Sequence, residues 1–416
     1  MNNYQWPPQQ PMYPVQPPRR FSPQDPMAEE RRDVRKTGNF IGMTMIVLLA
    51  LMTFVFSFVL VALTFVGFAD INGTLNNFYG MKYETFMLIY SLIYIIDMAV
   101  AAPLVALIAN RRINPFARFA PADNSNTKRV GFLSSALAVG AGMGVTVIAN
   151  LVVGYMAAFF EQIGLKTPET PDFVQTTPTG LILGIFVLAV LPAVLEEMLF
   201  RGYVLRVLMQ FGEGKAIIIS SVLFGLMHGN VVQIPFAFLL GLAMGFITVR
   251  TRSIWPAVVM HFLTNFMSVI LQYFTMDLSD PRIISLIILG VYLVVGLIGM
   301  ACLVILCATG NPIVARKNKT RTQIYNPQNP AYPRQVSGYN MQPPPAYPVY
   351  PSGVYAPPAY PYQQPYQQPY QQPYIAAPPR TKLTERERLS ELLTSPSLIV
   401  SGVLFVLVLL MNTFLS

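Results

Sequence analysis

The sequence predicts an all-α, polytopic transmembrane bundle of about eight or nine spans, with Pro/Tyr/Gln-rich polar segments outside it. Three observations lead there. Hydrophobic residues make up 53% of the 416 and charged residues only 11%, against roughly 25% charged in soluble domains. Runs such as Ile41 to Phe68 and Ile283 to Cys307 exceed the roughly 20 apolar residues that cross a hydrocarbon core about 30 Å thick. Basic residues also recur in every second connection, as the positive-inside rule requires of a membrane protein.

Taken in order, residues 1–37 are polar and lack the apolar core of a secretory signal, so a disordered cytoplasmic segment is expected, followed by a first span that acts as its own uncleaved signal. Spans are expected near 40–68, 85–108, 130–159, 180–200, 216–230, 232–249, 254–275, 283–308 and 397–415. Residues 38–160 then form accessory helices, 180–275 a core, and 283–308 and 397–415 single helices. Arg31, Arg32, Arg35 and Lys36 precede span one. Arg111, Arg112, Arg118, Lys128 and Arg129 follow span two, and Arg201, Arg206 and Lys215 follow span four. Arg250 and Arg252 follow span six, and Lys317, Lys319 and Arg321 follow span eight. The intervening loops carry Asp70, Glu161, Glu169, Asp172, Asp277 and Asp280. This alternation predicts a cytoplasmic amino terminus and an external carboxyl terminus.

Residues 311–395 are expected to be cytoplasmic, and the stretch to about 380 has too little aliphatic surface to build a core. Pro344, Pro345 and Tyr347, and again Pro357, Pro358 and Tyr360, match a Pro-Pro-x-Tyr pattern read by aromatic-lined grooves; a protein partner for this segment is the sharper reading, a solvated spacer the plainer one. The formal charge of +9 sits in clusters beside apolar runs, which argues for a lipid bilayer and against nucleic acid. Cys302 and Cys307 lie in one apolar stretch, where cysteines act as small hydrophobes.

Ionisable residues within spans are costly and mark function, and here they cluster. Glu196 and Glu197 end an apolar run, with Arg201 one turn later. Glu197 and Arg201 are four apart, the favourable orientation for a helical ion pair, whereas Glu196 is rotated about 100° and has no local partner. Both histidines of the chain, His228 and His261, fall in the same core within apolar runs. Asn265 shares a helical face with His261, and Phe224 lies one turn before His228. Gly225, Gly229, Gly241 and Gly245 are read as close helix packing, and Pro192 as a kink that frees a backbone carbonyl near Glu196.

A carboxylate with imidazoles in a dehydrated cavity can activate water in two ways. Glu196, His228 and His261 can hold zinc or another divalent metal with an open position. Alternatively, Glu196 removes the proton directly while His228, His261 and Asn265 donate to a developing oxyanion. The chain lacks the His-Glu-x-x-His helix of soluble zinc proteases, and the same four side chains serve both routes.

Glu196, Glu197 and Arg201, then Phe224 and His228, then His261 and Asn265 resemble the E-E-x-x-x-R, F-x-x-x-H and H-x-x-x-N boxes of the CPBP family. That family groups CAAX prenyl proteases with bacteriocin-processing or immunity proteins. The resemblance covers about 180–275. It implies an intramembrane endopeptidase of a prokaryotic plasma membrane, often classed as a metalloprotease, acting on a membrane-associated peptide or protein. Glu196 would activate water, while His228, His261 and Asn265 would orient it, bind any metal or stabilise the oxyanion. The alternative is a non-catalytic immunity or peptide-binding membrane protein. A proton-coupled transporter is a third class, disfavoured because no matching pair of Gly- or Pro-broken helices divides the chain into repeats.

Overall fold

The computed structural model describes residues 27–73, 75–109, 111–117, 130–164, 174–311, 313 and 382–414. Both Pro-Pro-x-Tyr matches, the basic residues 118, 128, 129, 317, 319 and 321, and the acidic residues 169 and 172 lie outside these. Ten helices are described: α1 Ala28–Phe65, α2 Tyr83–Ile108, α3 Phe132–Gln162, α4 Pro178–Phe211 and α5 Glu213–Met227, then α6 Gln233–Thr251, α7 Trp255–Thr275, α8 Pro281–Ala308, α9 Glu385–Leu393 and α10 Pro396–Phe414. No strand occurs among the described residues. Among the described residues, seven helices are long and apolar enough to cross a membrane, and α9 with α10 forms an eighth candidate bent by 58°. The chain is a multi-pass helical membrane protein.

Local chemistry explains several boundaries. Thr177 caps α4, its side chain accepting from Gly180 N, with Pro178 at the first position. Asp280 caps α8 ahead of Pro281 in the same way. These pairings satisfy amide groups that a helix start leaves unbonded. Two boundaries differ from expectation at the ends. Residues 28–37 are helical, with Glu29 and Glu30 in the first turn complementing the positive end of the helix. Residues 385–393, expected in the polar segment, form α9 behind a Thr384–Glu387 capping box.

The outer faces are apolar. Phe54, Phe58, Leu107, Leu133, Leu286 and Leu297 each expose more than 60% of their surface, an arrangement suited to acyl chains rather than water.

Tertiary contacts sort the helix ends into two groups. Arg206 donates to the Ala117 carbonyl, Arg111 and Gln210 both reach Thr37, Asn311 bonds Ser134, and Lys215 meets Glu385. The starts of α1, α3, α5 and α9 and the ends of α2, α4 and α8 therefore share one end of the molecule. At the other, Tyr83 and Tyr273 bond the Gly180 and Thr176 carbonyls. Of the described loop cations of the sequence-based pattern, Arg31, Arg35, Arg111, Arg206 and Lys215 gather at the first end, and Arg201 does not.

Two expectations are corrected here. Span four does not stop near 200: α4 runs to Phe211, so Arg201 is inside the bundle, and Glu196 sits about 22 Å of helical rise from Phe211, deep rather than near a face. The expected span at 216–230 is α5, only 15 residues long, about 22 Å and too short by itself for a 30 Å core. It instead forms a hairpin with α6. Gly229, at φ +58°, takes the left-handed turn that ends α5. A Cβ on Gly241 would lie 2.9 Å from Ser221 Cβ, so glycine there allows α5 and α6 their close approach.

At the polar end, Glu391 of α9 accepts from Arg31 and Arg35 of α1, each at 2.6 Å. Their guanidiniums hold the Glu391 carboxyl below its ordinary value, the Arg31 hydrogen bond first and the Arg35 bond second. A lowered carboxyl contributes stability above its unfolded value, about 4.3, and loses it as pH falls through the lower folded value. Protection of residues 385–393 from hydrogen exchange, measured against an unfolded peptide at the same pH, should therefore hold from pH 7 to about 5 and fall once pH drops below the unfolded carboxyl value of about 4.3. Protection unchanged down to pH 3 would show that the pair does not hold α9.

Candidate active site

The site is built on α4, α5, α7 and α2. Glu196 and Glu197 lie between two π-helical stretches of α4, Ile185–Val190 and Met198–Leu205; such wide turns recur at functional sites. Glu197 is fully buried and Arg201 is 1% exposed. Arg201 Nη1 bonds Glu197 Oε1 at 2.8 Å, Nη2 donates to the Gly241 carbonyl at 3.4 Å, and the guanidinium stacks 4.5 Å from the Phe224 ring centroid. An arginine that the sequence suggested as an interfacial charge is thus neutralised, hydrogen-bonded and packed inside the bundle.

Glu197 also meets α7. His261 Nδ1 lies 3.1 Å from Glu197 Oε1. An ionised carboxylate can only accept, so Nδ1 donates to it, and in the neutral ring Nε2 is then the nitrogen with a lone pair. That nitrogen faces Glu196 Oε2 at 3.9 Å. His228, at the end of α5, has Nδ1 2.9 Å from the Phe224 carbonyl, which also only accepts, so its neutral ring likewise carries the lone pair on Nε2. Phe224 packs edge-on against both imidazoles, at 5.2 Å from His228 and 5.9 Å from His261.

Asn265 Nδ2 donates to the Leu188 carbonyl at 3.0 Å. Four residues on, Pro192 has no N–H to offer that oxygen in an α-turn. Pro192 thereby leaves the Leu188 carbonyl available to anchor Asn265. Pro192→Ala restores a competing donor and is expected to lower activity about tenfold, the scale of one displaced hydrogen bond, while the melting temperature changes by only a few degrees. A folded variant with full activity would show that this anchor is dispensable.

Glu196, His228, His261, Asn265 and Phe224 all line one cavity of about 330 Å³. Tyr90, Tyr94, Pro192, Gln233, Phe236 and Leu240 are among the other wall residues. Glu196 is 6% exposed. Its Oε1 accepts from the Tyr94 hydroxyl, while its Oε2 has no hydrogen-bond partner among the described residues.

The catalytic and supporting residues expected from sequence are thus in one cluster: Glu196, His228, His261 and Asn265 on the cavity wall with Phe224, and Glu197 and Arg201 behind it. Their roles divide as geometry allows. Glu197 and Arg201 fix His261, while Glu196 keeps one oxygen free. Sequence reasoning missed Tyr94, which belongs to no motif; the only hint is a polar tip in an apolar span one turn before Asp97. Asp97 was passed over as well. It is buried, and its Oδ1 has no hydrogen-bond partner among the described residues.

The metal set suggested from sequence, Glu196, His228 and His261, is not gathered as a three-donor group among the described residues. As placed, these three donors do not converge as a coordination shell.

Helices of membrane-crossing length around a buried cluster of carboxylates, imidazoles and a carboxamide define a multi-pass protein with an intramembrane polar site. Residues 178–267, which hold every one of those motif residues, match the model of the type II CAAX prenyl endopeptidase Rce1-like family. The chain is also 27% identical over 139 residues to a Bacillus subtilis (strain 168) protein named "Putative membrane peptidase YdiL", covering 32% of this chain and 54% of that one. It therefore spans about half the length of the curated relative it matches. No solved structure matches.

Proposed function

We propose that this protein is an intramembrane endopeptidase in which Glu196 activates water for attack on a peptide bond. The observation that carries the reading is the placement of Glu196 Oε2, a buried carboxylate oxygen without a hydrogen-bond partner among the described residues, 3.9 Å from His261 Nε2 on the wall of a cavity. The match of residues 178–267 to a prenyl endopeptidase family and the name of the Bacillus subtilis relative support it.

Glu196 Oε2 takes a proton from water as the oxygen attacks the substrate carbonyl carbon. His228 Nε2, a lone-pair acceptor, orients that water by its second hydrogen. Asn265, with one N–H of its amide engaged by Leu188, turns the other to the oxygen on which negative charge develops. The abstracted proton is shared with His261 Nε2. Glu197, itself compensated by Arg201, stabilises the imidazolium that forms. The same proton then goes to the leaving amine as the carbon–nitrogen bond breaks. The substrate is a membrane-associated peptide or protein. Orientation follows the charge pattern, with the end bearing Arg31, Arg111, Arg206 and Lys215 in the cytoplasm.

The test is mass-spectrometric detection of new peptide termini in membranes holding wild type or Glu196→Gln, with prenylated and unprenylated CAAX peptides added, with and without EDTA. Termini made only by the wild type are expected, and the prenylated arm reads substrate class. Identical termini in both membranes, with both proteins folded, would sink the proteolytic reading. The EDTA arm reads the metal question on its own.

A further inference from the structure

We infer that Tyr94, on a helix outside the matched region, is a positioning residue that sets which oxygen of Glu196 does the chemistry. The inference rests on the proteolytic reading of the same cavity. The Tyr94 hydroxyl donates to Glu196 Oε1, and the direction follows because an ionised carboxylate has no proton to give. The other oxygen, Oε2, is the one that faces His261 Nε2 and has no partner among the described residues.

The two oxygens of a carboxylate are chemically equivalent, and the terminal torsion of a glutamate is broad and nearly two-fold. Nothing within Glu196 itself selects one oxygen over the other. A hydrogen bond to Oε1 breaks that equivalence. It holds the plane of the carboxylate so that Oε2 is presented toward the imidazole and the cavity. Charge-assisted bonds of this kind are the stronger ones, and both partners are largely withdrawn from water.

The donor is itself held. Tyr94, Tyr90 and Phe86 follow one another at four-residue spacing along α2, so their rings share one face. Tyr90 stacks on Tyr94 at 6.4 Å and 21°, and Phe86 on Tyr90 at 5.9 Å and 26°. The Tyr94 ring is thereby held by a stacked neighbour, and its hydroxyl arrives at the carboxylate on a packed support, as preorganised catalysis needs. Tyr94 and Tyr90 both line the cavity. Helix α2 thus supplies part of a site whose other polar residues all come from 178–267.

The variant Tyr94→Phe keeps the ring and its stack and removes only the hydroxyl. Loss of a hydrogen bond to a charged group corresponds to about a tenfold to hundredfold effect. That loss should appear in kcat, with KM changed less than about twofold and the melting temperature unchanged, because substrate binding and packing are untouched. The second readout is coupling. In a Glu196→Gln background there is no base left to orient, so adding Tyr94→Phe should lower residual activity no further.

A Tyr94→Phe protein with full kcat, while Glu196→Gln is inactive, would overturn the role of Tyr94 and leave the protease reading standing. A loss confined to KM, a matching fall in melting temperature, or additive losses in the double variant would overturn it equally. Failure of the wild type to cleave better than Glu196→Gln would remove the protease reading, and this inference with it.

Discussion

Glu196→Gln should lower kcat by about a hundredfold to ten-thousandfold, the range for loss of a general base, equivalent to about 2.7 to 5.4 kcal/mol of barrier. The substitution is nearly isosteric. Glutamine keeps a carbonyl oxygen that can accept from Tyr94, so the helix contact survives and only the basic oxygen facing His261 is lost. Removing a buried charge also relieves desolvation, so the variant should melt no lower than the wild type. Kinetics on a cleaved peptide and a thermal scan in the same detergent check both halves. A variant that keeps most of its kcat would assign water activation to another group.

Arg201→Met should destabilise the fold by about 3 to 5 kcal/mol, the cost of leaving one member of a buried ion pair alone. The guanidinium neutralises Glu197, caps the Gly241 carbonyl and covers the Phe224 face; methionine replaces the volume and none of the polar contacts. Glu197 accepts from His261 as well, so the loss reaches the site. The variant should therefore be inactive in whatever fraction stays folded. The double variant Arg201→Met with Glu197→Gln carries no orphaned charge and should recover a large part of the melting temperature but little activity. A single variant as stable as the wild type would show that the pair contributes nothing net to folding.

Much of this architecture was legible beforehand because the bilayer imposes a simple rule: long apolar runs become helices, and ionisable residues inside them converge on a purpose. Glu196, His228 and His261 were recognisable on that basis, and Asn265 by its spacing from His261; the structure brings all four to one cavity. Arg201 misled the reading of α4. A basic residue after an apolar run normally marks a membrane face; besides the carboxylate one turn before it, a carbonyl and an aromatic ring from other helices allow Arg201 inside. The links from Tyr94 to Glu196 and from Glu197 to His261 join residues 102 and 64 positions apart. No local spacing encodes such pairs.

The two wide stretches of α4 have a consequence for angular register. A π turn accommodates an additional residue without an additional turn, so side chains beyond it are offset by about 100° from where an unbroken α-helix would carry them. Thr177 to Gly184, the pair Glu196 and Glu197, and Arg206 to Phe211 are thus three segments whose facing directions are set separately along a single rod. The first segment can stay docked against α2 and the last against the connection at Pro115 and Ala117, while the carboxylates between them keep an azimuth of their own. The helix behaves as a shaft with two couplings, and the site occupies the piece between them.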